Sequence, residues 1–195
     1  GYSKLHEFTG MPNGALPHGS LFSDGIFLYG MTQTGGTNNY GNIFKIKPDG
    51  TGYFVLLDFA GTNGSGPMGT LISDGVFLYG MATQSGTNNG GVIFKIMPNG
   101  TGYSKLFDFS TASGYYPIGS LFSDGTFLYG MTNKGGINGL GTIFKFGLST
   151  DITKNNLKTD FIIYPNPFSS TSTLQSDKVF KNATLTVYNS FGQQV

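Results

Sequence analysis

The 195-residue chain has no cysteine, no tryptophan and no arginine, and only 11% of its residues are charged. Without cysteine there are no disulfides, no thiolate metal ligands and no thiol nucleophile. All eleven basic residues are lysine, so the guanidinium fork that grips a phosphate or carboxylate through two parallel bonds is missing. A formal net charge of +1 gives no electrostatic footprint for nucleic acid or for an anionic membrane. No apolar run approaches the ~18 residues that a transmembrane helix needs. The chain opens at Gly1 with neither a methionine nor a signal-peptide pattern, and its start reads as processed or truncated.

What is abundant is glycine, with 32 residues, and aromatic side chains, at 15%. Short bursts of Phe and Tyr between Gly-rich clusters point to strands and tight turns. The chain repeats itself with a step of fifty residues: Tyr29, Tyr79 and Tyr129; Pro17, Pro67 and Pro117; Phe44, Phe94 and Phe144; Lys45, Lys95 and Lys145. One slip occurs between Phe8 and Pro17, where the first copy carries one residue more than the others, in a Gly/Asn loop that tolerates it. The three copies span about 1–51, 52–101 and 102–147.

Four short strands are legible in a copy, at residues 19–24, 26–32, 42–48 and 53–59. An Asp-Gly pair predicts a hairpin between the first two, and "PDGTG" closes the third. No stretch has a helical period. Runs such as "IFLYGM" are apolar throughout, as expected of a sheet covered on both faces. Phe27 and Phe44 with their equivalents are expected between sheets, and Gly30, Gly80 and Gly130 where backbone is approached closely. The fold expected is all-β, a propeller-like array of four-stranded antiparallel repeats. Residues 2–8 read as a fourth strand without its sheet, while the third copy lacks its own. Either they close a ring, or the three copies are an arc of a larger propeller. The arc is preferred, since a ring of three leaves little room on its axis.

Spliced across copies, "LFSDGIFLYGMT…GG…GNIFKIKPDGTG…KLHEF" resembles the GloVer tandem repeat of bacterial secreted proteins. The resemblance covers Gly1 to about Phe146. It departs in the second copy, which has Ser85-Gly86 where the others have Gly35-Gly36 and Gly135-Gly136. It implies a β-repeat with varied C-terminal anchors and no general activity. Kelch repeats share the period and a double glycine, but their signature tryptophan is absent here.

Residues 148–160 are polar and read as a linker. Within residues 161–195, the motif Tyr164-Pro165-Asn166-Pro167 followed by "ATLTVYNSFGQQV" is similar to the front half of a type A sorting domain of the type IX secretion system. That module is a small immunoglobulin-like sandwich. The resemblance implies the export machinery as partner, passage across the outer membrane and residence at the bacterial cell surface or outside it. An ordinary small sandwich with no address is the competing reading.

Chemistry is sparse. His6 and His18 exchange with Leu57 and Phe107, and with Met68 and Ile118, in the other copies, so they read as packing positions and not as metal ligands. No HExxH, P-loop or GxSxG spacing occurs. Asp24, Asp74 and Asp124 recur at one position, as do Glu7, Asp58 and Asp108. A repeated acid points to turn amides rather than to a catalytic pair, which breaks symmetry. An axial ring of such acids holding a cation is the minority reading. No catalytic residue, resident metal or cofactor is expected.

The Gly/Asn loops are the best binding candidates: Asn38, Asn39, Tyr40, Asn88, Asn89 and Asn138, with Tyr115 and Tyr116 where the repeat pattern breaks. Amides and exposed rings suit a glycan or protein ligand. The alternative is that Asn and Gly are there because turns need positive φ. Two functions remain: a non-catalytic secreted or surface binding, adhesion or structural module, or a fragment of a propeller enzyme acting on polysaccharide.

Overall fold

Every copy opens on a hairpin held by one carboxylate. Asp24 Oδ1 accepts the backbone N–H of Ile26 at 2.8 Å and of Phe27 at 2.7 Å, and Oδ2 accepts the Tyr29 hydroxyl at 2.7 Å. Asp74 with Tyr79, and Asp124 with Tyr129, repeat the arrangement. The Asp-Gly signal therefore predicts a hairpin correctly, but the turn is not the two-residue kind. Ser23 pairs with Leu28, so residues 24–27 form the connection, and the positive φ falls on Gly25 at 90°. The second strand of the first copy accordingly opens at Leu28 and not at Ile26.

The computed structural model describes residues 1–148 and the backbone of Phe161–Tyr164 and Thr173–Ser176. All regular structure among them is β. The first sheet consists of β1 (Ala15–Ser23), β2 (Leu28–Thr34), β3 (Asn42–Ile46) and β4 (Phe54–Asp58), antiparallel and in that order. In the second sheet the first strand is broken into β5 (Ser65–Pro67) and β6 (Ile72–Ser73), followed by β7 (Leu78–Gln84), β8 (Val92–Ile96) and β9 (Ser104–Asp108). The third has β10 (Tyr115–Pro117), β11 (Phe122–Ser123), β12 (Phe127–Lys134) and β13 (Thr142–Gly147), and β13 has no fourth partner among the described residues.

The sheets stack in sequence order. Met31 and Ile43 of the first are buried in one cluster with Leu71, Leu78, Val92 and Phe94 of the second. Met81 and Ile93 of the second join Leu121 and Leu128 of the third in another. The last Phe of each unit seats edge-on against a ring of the next: Phe8 on Phe44 at 5.3 Å, Phe59 on Phe94 at 5.5 Å, Phe109 on Phe144 at 5.1 Å. Phe94 also lies over Gly80, its cross-strand neighbour, where a Cβ would stand 2.6 Å from the ring tip. Phe27 and its equivalents are less enclosed than expected: Lys45, Lys95 and Lys145 hold their ammonium groups 4.6, 4.4 and 4.2 Å above Phe27, Phe77 and Phe127.

Residues 2–8 form no strand. The β3 edge of their own copy is already taken by β4, so they have sequence but no free edge there. Among the described residues the sheets close into neither a ring nor a barrel. Leu21 at one end is 52% exposed, and Ile143 at the other is 83% exposed. The chain divides into two units, Gly1–Leu148 and Ser149–Val195. In the second, β14 (Phe161–Tyr164) pairs antiparallel with β15 (Thr173–Ser176). Tyr164 ends β14, whereas Pro165, Asn166 and Pro167, the linker beyond Leu148 and the rest of the sorting-domain segment lie outside the described residues.

Candidate functional site

The Gly/Asn loops come together as one rim. Each closes on itself through a backbone bond: Gly41 N–H to Gly35 O, Gly91 to Ser85 and Gly141 to Gly135, all at 3.0 Å. Neighbouring loops are then tied to one another, within a sheet or across a seam. Gly66 N–H donates to Tyr40 O at 2.9 Å, Gly86 to Gly61 O at 2.9 Å, Tyr116 to Gly90 O at 3.0 Å and Gly136 to Thr111 O at 3.0 Å. The rim is thus a continuous ridge of hydrogen-bonded backbone, with its side chains placed by fixed turns.

The expected binding residues divide within it. Asn38 is spent on structure, its Nδ2 donating to Phe59 O at 3.2 Å. Asn39 Oδ1 accepts the Gly35 N–H at 3.0 Å. Asn39 and Asn89 have φ of 58° and 54°, and Gly139 takes the same place in the third copy with φ 72°, so the turn's need for positive φ governs this position. Asn88 and Asn138 are exposed. Tyr40 is 44% exposed. Tyr115 and Tyr116 are half-buried and lie together, ring centroids 5.4 Å apart, with Lys134 Nζ 5.3 Å from the Tyr116 ring.

Tyr40 and Tyr116 sit at equivalent seams, on opposite sides of the same hydrogen bond: Tyr40 is its acceptor at one, Tyr116 its donor at the next. They are one repeat apart. Tyr116 has φ 54°, as does its equivalent Leu16, and Gly66 between them has φ 61°. The glycine in the middle copy was the available signal that this is a left-handed position. Lys134, and Ile137 and Leu140 at 100% and 86% exposure, also belong to the rim and carry no repeat signature that would have marked them.

The described acids are engaged in turns and loops. Asp58 Oδ2 accepts the Thr37 hydroxyl at 2.6 Å, and Asp108 Oδ1 accepts the Thr87 N–H at 2.6 Å and Lys105 Nζ at 3.0 Å. Burial pushes the Asp108 carboxyl up, but the Thr87 amide and Lys105 outweigh it and hold the group below the usual carboxylate range. Asp49 accepts the amide and hydroxyl of Thr51. Among the described residues no three His, Asp or Glu side chains gather where a metal ion could be held. His6 is half-buried, stacked 4.0 Å from Tyr53. His18, also expected as a packing position, is instead exposed, its Nε2 3.1 Å from Gln33 Oε1.

A family model described as the Gloeobacter/Verrucomicrobia repeat matches residues 1–185, running beyond the third copy into the C-terminal segment. No curated protein matches the chain.

Proposed function

The chain belongs to the Gloeobacter/Verrucomicrobia repeat family, and from that premise we propose a non-catalytic binding module, an arc of propeller blades presenting its loop rim to a glycan. The observation that carries this reading is the division of labour in the rim. Backbone bonds across the seams fix the loops, which leaves the Tyr40, Tyr115 and Tyr116 rings and the Asn88 and Asn138 amides unspent on holding them. A flat ring offers stacking, an amide offers a donor and an acceptor, and a prearranged rim loses little freedom on binding. On a glycan array the intact chain is expected to retain specific sugars. Tyr40→Ala and Tyr115→Ala are each expected to weaken retention at least about tenfold, while Asn38→Ala acts through stability alone. No retained sugar, or retention indifferent to both tyrosines, overturns the reading.

The same proposal places the protein at the bacterial surface or outside the cell, exported by the type IX machinery through its tail. Its support is the sequence Tyr164-Pro165-Asn166-Pro167 and the alternating apolar and polar pattern of "ATLTVYN" that follows. Deleting residues 161–195 from the full-length protein is expected to strand it in the periplasm. Undiminished export of the deletion variant refutes the address.

A further inference from the structure

The chain carries five Asn-Gly pairs, opening at Asn13, Asn63, Asn89, Asn99 and Asn138. In such a pair the backbone nitrogen of the glycine reaches the side-chain amide carbon of the asparagine with no Cβ in the way. A bond forms between the Gly nitrogen and Asn Cγ, the side-chain nitrogen leaves as ammonia with the proton of the Gly N–H, and a ring closes. A water molecule then opens the ring at either carbonyl. One way leaves aspartate; the other leaves isoaspartate, whose main chain runs through the former side chain and is longer by a methylene. We propose that the second copy's rim holds such a modification site, Asn89, the pair whose reacting groups no hydrogen bond restrains among the described residues.

Three of the pairs are held at both reacting groups. Asn13 Nδ2 donates to Thr9 Oγ1 at 3.2 Å, and Gly14 N–H donates to Gly10 O at 2.7 Å. Asn63 Oδ1 accepts the Ala60 N–H at 2.7 Å, and Gly64 N–H donates to Gly61 O at 2.9 Å. Asn99 Oδ1 accepts the amide and the hydroxyl of Thr101 at 2.9 and 2.7 Å, and Gly100 N–H donates to Met97 O at 2.9 Å. Asn138 is half released: its side chain has no partner among the described residues, but Gly139 N–H donates to Gly136 O at 3.0 Å. At Asn89 the side chain is exposed, and neither it nor the Gly90 N–H has a hydrogen-bond partner among the described residues. Swinging Cγ onto the next nitrogen breaks no such bond there, so the reactive geometry costs least.

The pair stands in this place for two separate backbone reasons. Asn89 has φ 54°, a left-handed conformation that asparagine tolerates. Gly90 is needed because a Cβ on it would stand 2.3 Å from Phe109 O. The first copy has Asn39-Tyr40 here and the third Gly139-Leu140, so the combination falls in the second copy. Its loop is fixed on both sides: Gly91 N–H donates to Ser85 O at 3.0 Å and closes it, and Gly90 O accepts the Tyr116 N–H of the third copy at 3.0 Å. A main chain lengthened between Asn89 and Gly90 cannot keep both bonds in place. Isoaspartate therefore loosens the rim at the seam between the second and third sheets, and leaves a carboxylate next in sequence to Asn88.

The intact chain is kept warm in neutral buffer for weeks, and the five sites are followed by mass spectrometry of its proteolytic fragments. Asn89 is expected to lose ammonia at least about tenfold faster than Asn13, Asn63 or Asn99, with Asn138 between them. In the urea-unfolded chain this spread is expected to collapse. Asn89→Gly supplies the residue that the third copy uses at this position, Gly139 with φ 72°, and keeps the fold. Its melting temperature is expected to hold through the incubation while that of the parent falls. Reaction at Asn89 no faster than at the three bonded pairs, or slower than at Asn138, overturns the proposal. A spread that survives unfolding also overturns it, because the order would then come from neighbouring residues and not from the fold. Equal losses of melting temperature in the parent and in Asn89→Gly overturn the effect on the seam.

Discussion

Gly69→Ala is expected to destabilise the repeat unit by about 3 kcal/mol, lowering its melting temperature by roughly 10 °C. A Cβ at Gly69 would stand at 1.9 Å from the carbonyl oxygen of Gly119 and at 2.7 Å from its carbon. Both are backbone atoms, so no side chain can rotate away, and the Thr70 N–H bond to Ser120 Oγ at 2.9 Å fixes the approach. Relief requires the inner strands of the second and third sheets to separate, opening the cluster around Leu121 and Leu128. Gly119→Ala is the control. Its φ of 94° makes a side chain unfavourable, but nothing lies within 4 Å of the added Cβ, so the cost is about 1–2 kcal/mol. Thermal unfolding of the two variants decides it: equal losses would mean that contact between the sheets does not constrain this position.

The second large effect is expected at the hairpin carboxylates. Asp24→Ala removes the acceptor of two backbone amides and leaves the hydroxyl of Tyr29, itself 1% exposed, without its partner. Such a loss costs about 2 kcal/mol. Asp24→Asn keeps the amide acceptor and is expected to lose about half of that. Acid probes the same group. Burial pushes the Asp24 carboxyl up, but the Phe27 amide, the Tyr29 hydroxyl and the Ile26 amide outweigh it and hold it below the usual carboxylate range. With the folded-state value depressed, the stabilisation is complete above the unfolded-state value of ~4 and is lost as pH falls from there through the folded one. Denaturant unfolding between pH 6 and pH 2 should show a smaller acid-induced loss in Asp24→Asn than in the parent, and identical profiles would contradict this account.

Much of this was legible in the residues because the repeat acts as its own control. A position holding Asp three times is under a local constraint, and the structure shows that constraint as turn amides. Gly30, Gly80 and Gly130 were readable as places of close approach for the same reason. The rim was harder. Asn38, Asn39, Asn88 and Asn89 look alike in sequence, yet Asn38 is spent on Phe59 O, which arrives from beyond β4, and Asn39 on Gly35 N–H within its own loop. The separation of Tyr40 from Tyr116 was equally hidden, since it depends on which side of a seam each residue falls.

By itself the sequence determined the all-β class, the fifty-residue period, the hairpins and the apolar layers, because turn chemistry and side-chain pattern are local and recur in each copy. Only the tertiary structure decided what the ends do. Met31 and Met131 are the same residue in the same local context, buried at 1% and exposed at 58%. Among the described residues the next sheet packs over Met31 and none packs over Met131, and stacking is a contact between units that no single unit encodes. Residues 2–8 make the same point: they carry the letters of a strand, but a strand needs a partner edge, and the β3 edge of their own copy is taken by β4.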